Sequence, residues 1–403
     1  MFQSAFLRAL DERGHIHQIT DAQSLDAAAG QGGLVAYIGY DCTAPSLHVG
    51  NLATIMLLRR LQQAGGKPIV LMGGGTTKVG DPSGKDESRR VLSDSEIEAN
   101  KASIRRIFSR FLEFGDGRAD AIMVDNAEWL DGLAYIPFLR DYGRHLSVNA
   151  MLARDSVRLR LEREQPLSFL EFNYMVLQAY DFVELRRRYG CRLQMGGSDQ
   201  WGNIVQGIDL GRRVGEPDLL GLTTPLVTTA DGAKMGKTAD GAVWLNADSL
   251  ADWDYWQFWR NTADADVARF LRLFTDLPLD EVARLEALQG AEVNAAKVVL
   301  ANAATALCRG AEAAASAEAT AAATFGRGEA GEALPTAALP FPAALIDALV
   351  ATGLAASKGE ARRKIAENAV RVDGEVVSDA AAMLDRPARL SLGRKRHARL
   401  EQG

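Results

Sequence analysis

The sequence predicts an α/β fold: a doubly wound parallel sheet with a helical insertion, followed by an α-helical domain and a small C-terminal α+β domain. Three observations predict it. Through the first half, short β-rich runs alternate with helical patterns, the signature of a parallel sheet that binds ligands at the carboxyl ends of its strands. From Asp248 to Gly326 the pattern is helical throughout, and beyond a Gly- and Pro-rich stretch the chain turns to short strands around a hairpin signal.

LVAYI (34–38), PIVLM (68–72), AIMV (121–124) and CRLQM (191–195) are the expected central strands. Between the third and fourth, residues from about 130 to 188 form an insertion with apolar residues at three- and four-residue spacing, a binding wall or a dimer surface. The helical domain, 246–326, opens with DWDYWQFWRNTADADV. There Trp253, Trp256 and Trp259 recur every three residues, as the core stripe of a helix does. Residues 311–324 are mostly Ala with a few Glu, Ser and Thr, a composition that forms helix by propensity rather than packing. Residues 327–342 read as a linker and 343–403 as the last domain, in which Ser357 and Glu360 stand at capping-box spacing and Asp373-Gly374 marks a turn between VRV and EVV.

Composition narrows the function. Hydrophobic residues make up 47% and charged residues 24%, and no stretch approaches the roughly 18 to 20 apolar residues of a membrane span. MFQSAFLRALDERGH carries charge throughout and reads as an amphipathic helix, not a secretory h-region, so a cytoplasmic or organellar matrix location is expected, cytoplasmic first. Cys42, Cys191 and Cys308 are odd in number and far apart, which suits a reducing compartment and offers no metal spacing. The net charge is −6, yet residues 343–403 hold 11 Lys/Arg against 8 Asp/Glu, so the tail is basic. Its Arg362, Arg363, Lys364, Arg371, Arg394, Lys395, Arg396 and Arg399 are either a solvated face or a nucleic-acid contact.

Two short motifs carry chemistry. The first strand runs into YIGYDCTAPSLHVGNLATIMLLRRLQQAG, so the following turn delivers His48, Val49, Gly50 and Asn51 to a helix start, where anions are attracted. Gly50 permits close approach of a base or ribose, and His48 can donate to a phosphoryl oxygen as charge develops. Far downstream, Lys234, Met235, Gly236, Lys237 and Thr238 stand in a loop flanked by Gly232 and Gly241. Alone, each motif is weak.

Together, HVGN and KMGKT resemble the paired signatures of class I aminoacyl-tRNA synthetases, whose catalytic domain is Rossmann-like. GDPSGK (80–85), YMVLQAYDF (174–182) and GCRLQMGGSDQWGNI (190–204) are similar, almost residue for residue, to motifs of the tyrosyl-tRNA synthetase family. SKGEARRKIAENAVRVDGEVVSD resembles the small RNA-binding domain of ribosomal protein S-four. The resemblance runs from about Tyr37 to the C-terminus. It implies activation of L-tyrosine with ATP and Mg2+, transfer to tRNA(Tyr), a catalytic domain over 1–245, an anticodon-binding domain over 246–326 and a homodimer, which the apolar insertion residues Leu133, Ile136, Leu139 and Leu146 support.

By the same resemblance, Tyr37 and Asp181 grip the substrate phenol, while Asp81, Tyr174 and Gln178 hold its ammonium group and Asn126 lies near the substrate. Tyr174, Gln178 and Asp181 fall on one face of a helix at i, i+4 and i+7. Gly39, Asp41, Thr43, His48, Gly50, Asn51, Gly197, Asp199 and Gln200 are implied for the nucleotide. Thr43 and His48 would contact the γ-phosphate, with Lys85, Arg89, Lys234 and Lys237 closing from mobile loops. Two positions depart from the family: Asn51 replaces a second histidine, and Cys42 replaces a proline, which puts local turn rigidity in question. A tryptophanyl-tRNA synthetase and a catalytically idle RNA-binding relative are the alternatives. Tyr37 and YMVLQAYDF oppose the first, and retention of His48, Lys234, Lys237 and Asp81 opposes the second.

Overall fold

The computed structural model describes the 403-residue chain apart from residues 82–91, 231, 233–234, 239–240, 328–333 and 394–395, and the side chains of 155–156, 237–238, 241 and 325–327. It divides into two compact units. The first comprises Met1–Ser249 and Thr262–Ala296, the second Leu250–Asn261 and Lys297–Gly403.

The first unit is built on six strands: β1 (Gln18–Ile19), β2 (Val35–Asp41), β3 (Lys67–Gly73), β4 (Ile122–Asp125), β5 (Leu193–Gly197) and β6 (Leu220–Thr224). Their order is β1-β6-β5-β2-β3-β4, parallel except for β1. All four expected strands are present. The sequence reading missed β6, whose LGLTT lacks β-branched alternation, and the two-residue edge β1. Because chain order reverses on either side of β2, the sheet opens a crevice between the carboxyl ends of β2 and β5, where doubly wound sheets bind ligands. Strands β3 and β5 are buried along nearly their whole length, as strands covered by helices on both faces must be.

Local chemistry sets the helices that flank this crevice. Val49–Gln63 starts at a capping box in which the His48 side chain accepts from Gly50 N–H and Asn51 Oδ1 accepts from His48 N–H. Phe169–Tyr189 starts at the Ser168/Glu171 box, and it stops at Gly190, whose φ of 67° suits the left-handed cap that glycine adopts without a Cβ penalty. Glu171 also pairs with the buried Arg160 at 3.1 Å, which ties this helix to Asp155–Glu162 of the insertion. Helices Asp264–Phe274 and Leu279–Glu286 belong to the first unit, where Asp276 accepts from Arg59 and Arg60 of the Val49–Gln63 helix.

In the second unit the Trp stripe is core: Trp253, Trp256 and Trp259 are all buried, and Trp256 Nε1 donates to Asn302 Oδ1 at 2.8 Å. The Ala-rich helix Ala311–Ala321 has a packed face, since Ala314, Ala317 and Thr320 are buried at helical spacing. Propensity is therefore not its only support. The terminal part has its own core, from Leu345 and Leu349 to Leu390 and Leu400. Its five-stranded sheet runs in the order Glu375–Val376, Val370–Val372, Ala388–Leu392, Arg396–Gln402 and Thr336–Leu339. Asp373 and Gly374 form the expected turn with φ of 51° and 95°. Thr336–Leu339, inside the stretch read as linker, pairs in parallel with residues 399–402.

Candidate active site

The buried end of the crevice lies along β2. Tyr37 is buried in mid-strand, against the Phe182 ring at 5.3 Å, and its hydroxyl has no hydrogen-bond partner among the described residues. Asp181, on the Phe169–Tyr189 helix, lies near enough for its charge to raise the Tyr37 phenol further above its ordinary value, after burial. The Asp181 carboxylate accepts from Asn126 Nδ2 at 2.9 Å and Trp129 Nε1 at 2.8 Å. Burial pushes this carboxyl up to about 7, and those two donors hold it back. Asn126 is itself fixed: its Oδ1 accepts from Gly75 N–H, and its Nδ2 donates to Thr76 Oγ1.

Trp129 and Gln194 were not foreseen. Trp129 stands three residues after Asn126, on the next helical turn, and that spacing was its available signal. Gln194 is a polar residue inside an apolar strand, in register with Tyr37, and its Oε1 is buried without a partner among the described residues. A buried, unpaired amide oxygen costs folding free energy unless a ligand satisfies it.

Toward the strand ends the side chains form two linked polar groups. Tyr174 donates to Asp41 Oδ2 at 3.1 Å, and Thr76 donates to Asp41 Oδ1 at 2.9 Å. Gln200 donates to Asp81 Oδ2 at 3.2 Å, while Gln200 Oε1 accepts from Asn203 at 3.0 Å and Gln178 at 3.4 Å. The structure thus brings Tyr174, Gln178 and Asp81, read for the amino acid, against Asp41 and Gln200, read for the nucleotide. Gly39 and Asp41 end β2, Gly197 ends β5, Asp199 is exposed on the following turn, and Thr43 lies exposed in the bend after β2.

The two signature motifs touch. A Cβ on Gly50 would fall 2.6 Å from the Met235 carbonyl, and one on Gly236 would fall 2.6 Å from His48 Nδ1. Both positions therefore exclude any side chain, and Gly236 also has a φ of +104°. Because His48 Nδ1 accepts from Gly50 N–H at 3.0 Å, the neutral imidazole carries its proton on Nε2. Asn51 Oδ1 is committed to the helix cap, which leaves its amide N–H groups as the donors for a ligand. Lys85, Arg89 and Lys234 lie outside the described residues, as does the side chain of Lys237, whose backbone pairs with Ala242.

The terminal basic residues divide. Arg362, Arg363, Arg371 and Arg396 are exposed, and Arg394 and Lys395 lie outside the described residues. Lys364 pairs with Glu367 at 2.9 Å, and Arg371 and Arg396 donate to the carbonyls of Gly374 and Gly353.

Comparison with known proteins identifies the family. Residues 30–326 match the family of class I tRNA synthetases for W and Y, and 329–392 match the SYY-like C-terminal domain of tyrosine–tRNA ligase. The chain is 63% identical to the tyrosine–tRNA ligase of Novosphingobium aromaticivorans, covering 100% of this chain and 99% of that one, and 63% identical with the same coverage to that of Zymomonas mobilis. A C-terminally truncated mitochondrial tyrosyl-tRNA synthetase of Aspergillus nidulans superposes with a TM-score of 0.69 at 30% identity, covering 78% of this chain and 92% of that one. A tryptophanyl-tRNA synthetase from Giardia lamblia shares the fold at a TM-score of 0.58 and 15% identity, covering 76% of this chain and 86% of that one. The fold is common to both specificities while the full-length identity is to the tyrosine enzymes, and the chain belongs to the tyrosine–tRNA ligases of the class I tRNA synthetase family.

Proposed function

We infer that the ligase reaction runs in the β2/β5 crevice in two steps. In the first, the carboxylate of L-tyrosine attacks the α-phosphorus of ATP in line and pyrophosphate leaves. In the second, a ribose hydroxyl of the 3′-terminal adenosine of tRNA(Tyr) attacks the tyrosyl carbonyl of the adenylate and AMP leaves. The observation that carries this reading is the buried Tyr37 hydroxyl, which has no hydrogen-bond partner among the described residues and lies near the Asp181 carboxylate. A substrate phenol would satisfy both groups. Tryptophan would bring an indole N–H, which can donate to Asp181 but cannot accept from Tyr37.

Tyr174, Gln178 and Asp81 are read as holding the ammonium group, a role that their links to Asp41 and Gln200 support, since amino acid and α-phosphate must meet there. Gly39, Gly50 and Gly197 would let the nucleotide approach the backbone, and Asp41, Asn51, Asp199 and Gln200 would supply its polar contacts. His48, with its proton on Nε2, and Thr43 would donate to the departing pyrophosphate, and Lys85, Arg89, Lys234 and Lys237 would neutralise it. Holding both reactants in line and stabilising charge on the leaving group need no covalent enzyme intermediate. ATP would enter as its Mg2+ complex: among the described residues no group of three His, Cys, Asp or Glu could hold a metal, and such magnesium is held mainly by phosphate oxygens and water.

Residues 246–326 are read as the anticodon-binding part and 343–403 as an RNA-binding domain acting through Arg362, Arg363, Lys364, Arg371, Arg394, Lys395 and Arg396. A homodimer is supported by the insertion, where Ile136 is 69% and Val148 58% exposed. Of the apolar residues first named for that surface, Ile136 and Leu139 are exposed, whereas Leu133 and Leu146 pack against the core. A cytoplasmic enzyme fits this reading, and among the described residues no helix is long and apolar enough to cross a membrane. The test is a two-stage assay: enzyme, ATP and labelled tyrosine are incubated, and the isolated complex is mixed with tRNA(Tyr). Label should pass to the tRNA without further ATP, and failure to isolate an enzyme-bound adenylate would contradict the two-step reading.

A further inference from the structure

The Cys42 peptide joins β2 to the loop that carries Thr43 and His48, and it is gripped from two sides by residues outside every motif assigned above. Cys42 N–H donates to Thr77 Oγ1 at 2.8 Å, and its carbonyl accepts from Asn100 Nδ2 at 2.8 Å. Cys42 and Thr77 are both buried, so each group would be costly to leave unpaired. The two holders are themselves anchored. Thr77 ends the short Gly74–Thr77 helix, whose first N–H groups are taken by Asp125 and Asn126. Asn100 lies on the Asp94–Phe111 helix, where the adjacent Lys101 pairs with Asp125 and Ser103 pairs with Asn246. Asn246 in turn donates to the Pro45 carbonyl and takes Ser46 Oγ on its own N–H.

We propose that Thr77 and Asn100 are positioning residues for adenylate formation, which hold the Cys42 peptide, and through it Thr43, by two hydrogen bonds, of which the one to Thr77 stands in place of the ring constraint that proline would give at residue 42. The inference rests on the reading of Thr43 as a γ-phosphate contact. Proline has no N–H, so it needs no acceptor at residue 77, and its Cδ occupies the place of the amide hydrogen. With Thr77 Oγ1 only 2.8 Å from that nitrogen, the ring has no room until the Thr77 side chain is shortened. The two positions therefore specify each other. Asn100 acts on the carbonyl, which proline retains, and stands outside that exchange.

The experiment measures the pre-steady-state rate of adenylate formation, the KM for ATP, tyrosine binding and the thermal midpoint in six variants. Thr77→Ala and Cys42→Pro should each slow adenylate formation by about tenfold to a hundredfold, as a misplaced contact does, with tyrosine affinity nearly unchanged. Thr77→Ser keeps the acceptor and should stay close to the parent. Cys42→Pro/Thr77→Ala should recover most of the rate, whereas Asn100→Ala should remain slow. A double variant slower than Cys42→Pro alone, or a Thr77→Ala rate equal to the parent's, overturns the proposal. If Thr77→Ala fails to fold, the comparison of Cys42→Pro with the double variant decides by the same sign. Thr43→Ala separates the two layers: if it does not slow the step, the site reading fails and the inference with it. If it does, and Thr77→Ala does not, only the clamp fails.

Discussion

The two ends of the crevice are built in opposite ways. At the end proposed to read the phenol, Tyr37, Asp181, Asn126 and Trp129 come from a central strand, a long capped helix and a helical turn, and all four are buried. At the end proposed to hold the phosphates, Thr43 lies exposed in a bend and His48 and Asn51 open a helix, while Gly50 and Gly236 bring two distant segments into contact. The difference follows from the two tasks. Telling one side chain from another requires buried polar groups that are costly to leave unpaired, which only a stiff surround maintains. Stabilising a departing pyrophosphate requires charge that interacts more strongly with the transition state than with bound ATP, and backbone that reaches the phosphates without side chains in the way.

Variants at the phosphate end should therefore act on rate, and by the largest factor. Lys234→Ala and Lys237→Ala are expected to lower adenylate formation by about a hundredfold or more, as loss of one transition-state donor does, with tyrosine affinity little changed. Stopped-flow adenylate formation against equilibrium tyrosine binding distinguishes the two quantities. Loss of affinity with an intact chemical rate would make that segment a binding wall. At the phenol end the reverse holds: Tyr37→Phe should reduce the ratio of tyrosine to phenylalanine kcat/KM by about tenfold, the size of one lost hydrogen bond at a buried site. An unchanged ratio would place recognition of the phenol elsewhere.

Neither end should depend on the terminal domain. Removing residues 334–403 deletes the Thr336–Leu339 strand together with the sheet it joins, and should leave pyrophosphate exchange within about twofold while lowering tRNA charging by about tenfold or more. Charging with unchanged kcat/KM would reduce the exposed arginines to a solvated face. A separate effect, on stability rather than on activity, concerns Asp181, whose folded value of about 7 lies above its ordinary 3.8. The folded chain then keeps a proton that the unfolded chain loses between about pH 4 and 7. Its stability contribution is fully present below about pH 4 and falls as pH rises to about 7, by at most about 1.4 kcal/mol per unit. Asp181→Asn should flatten that slope in denaturant unfolding at pH 5 and 7, and equal slopes in both proteins would mean that the carboxylate is solvated.

Much of this was readable in the chain because strong local signals coincide with the site. Four central strands, the Trp253/Trp256/Trp259 core and the Asp373-Gly374 turn follow from periodicity and turn chemistry, which need no tertiary information. What was missed depends on partners remote in sequence. The β6 strand is specified by burial beside β5, and Gln194 by its register with Tyr37. Thr77 and Asn100 are specified by a peptide 35 and 58 residues away. The Cys42 departure was legible as a lost constraint, whereas the hydrogen bond to Thr77 proposed to replace it was not.

The buried end of the crevice, with Tyr37 and Asp181, is proposed to read a phenol. ATP–pyrophosphate exchange, measured with tyrosine, tryptophan and phenylalanine supplied separately, tests it most directly. Exchange with tyrosine alone is the predicted result, and exchange supported by tryptophan and not by tyrosine would contradict it.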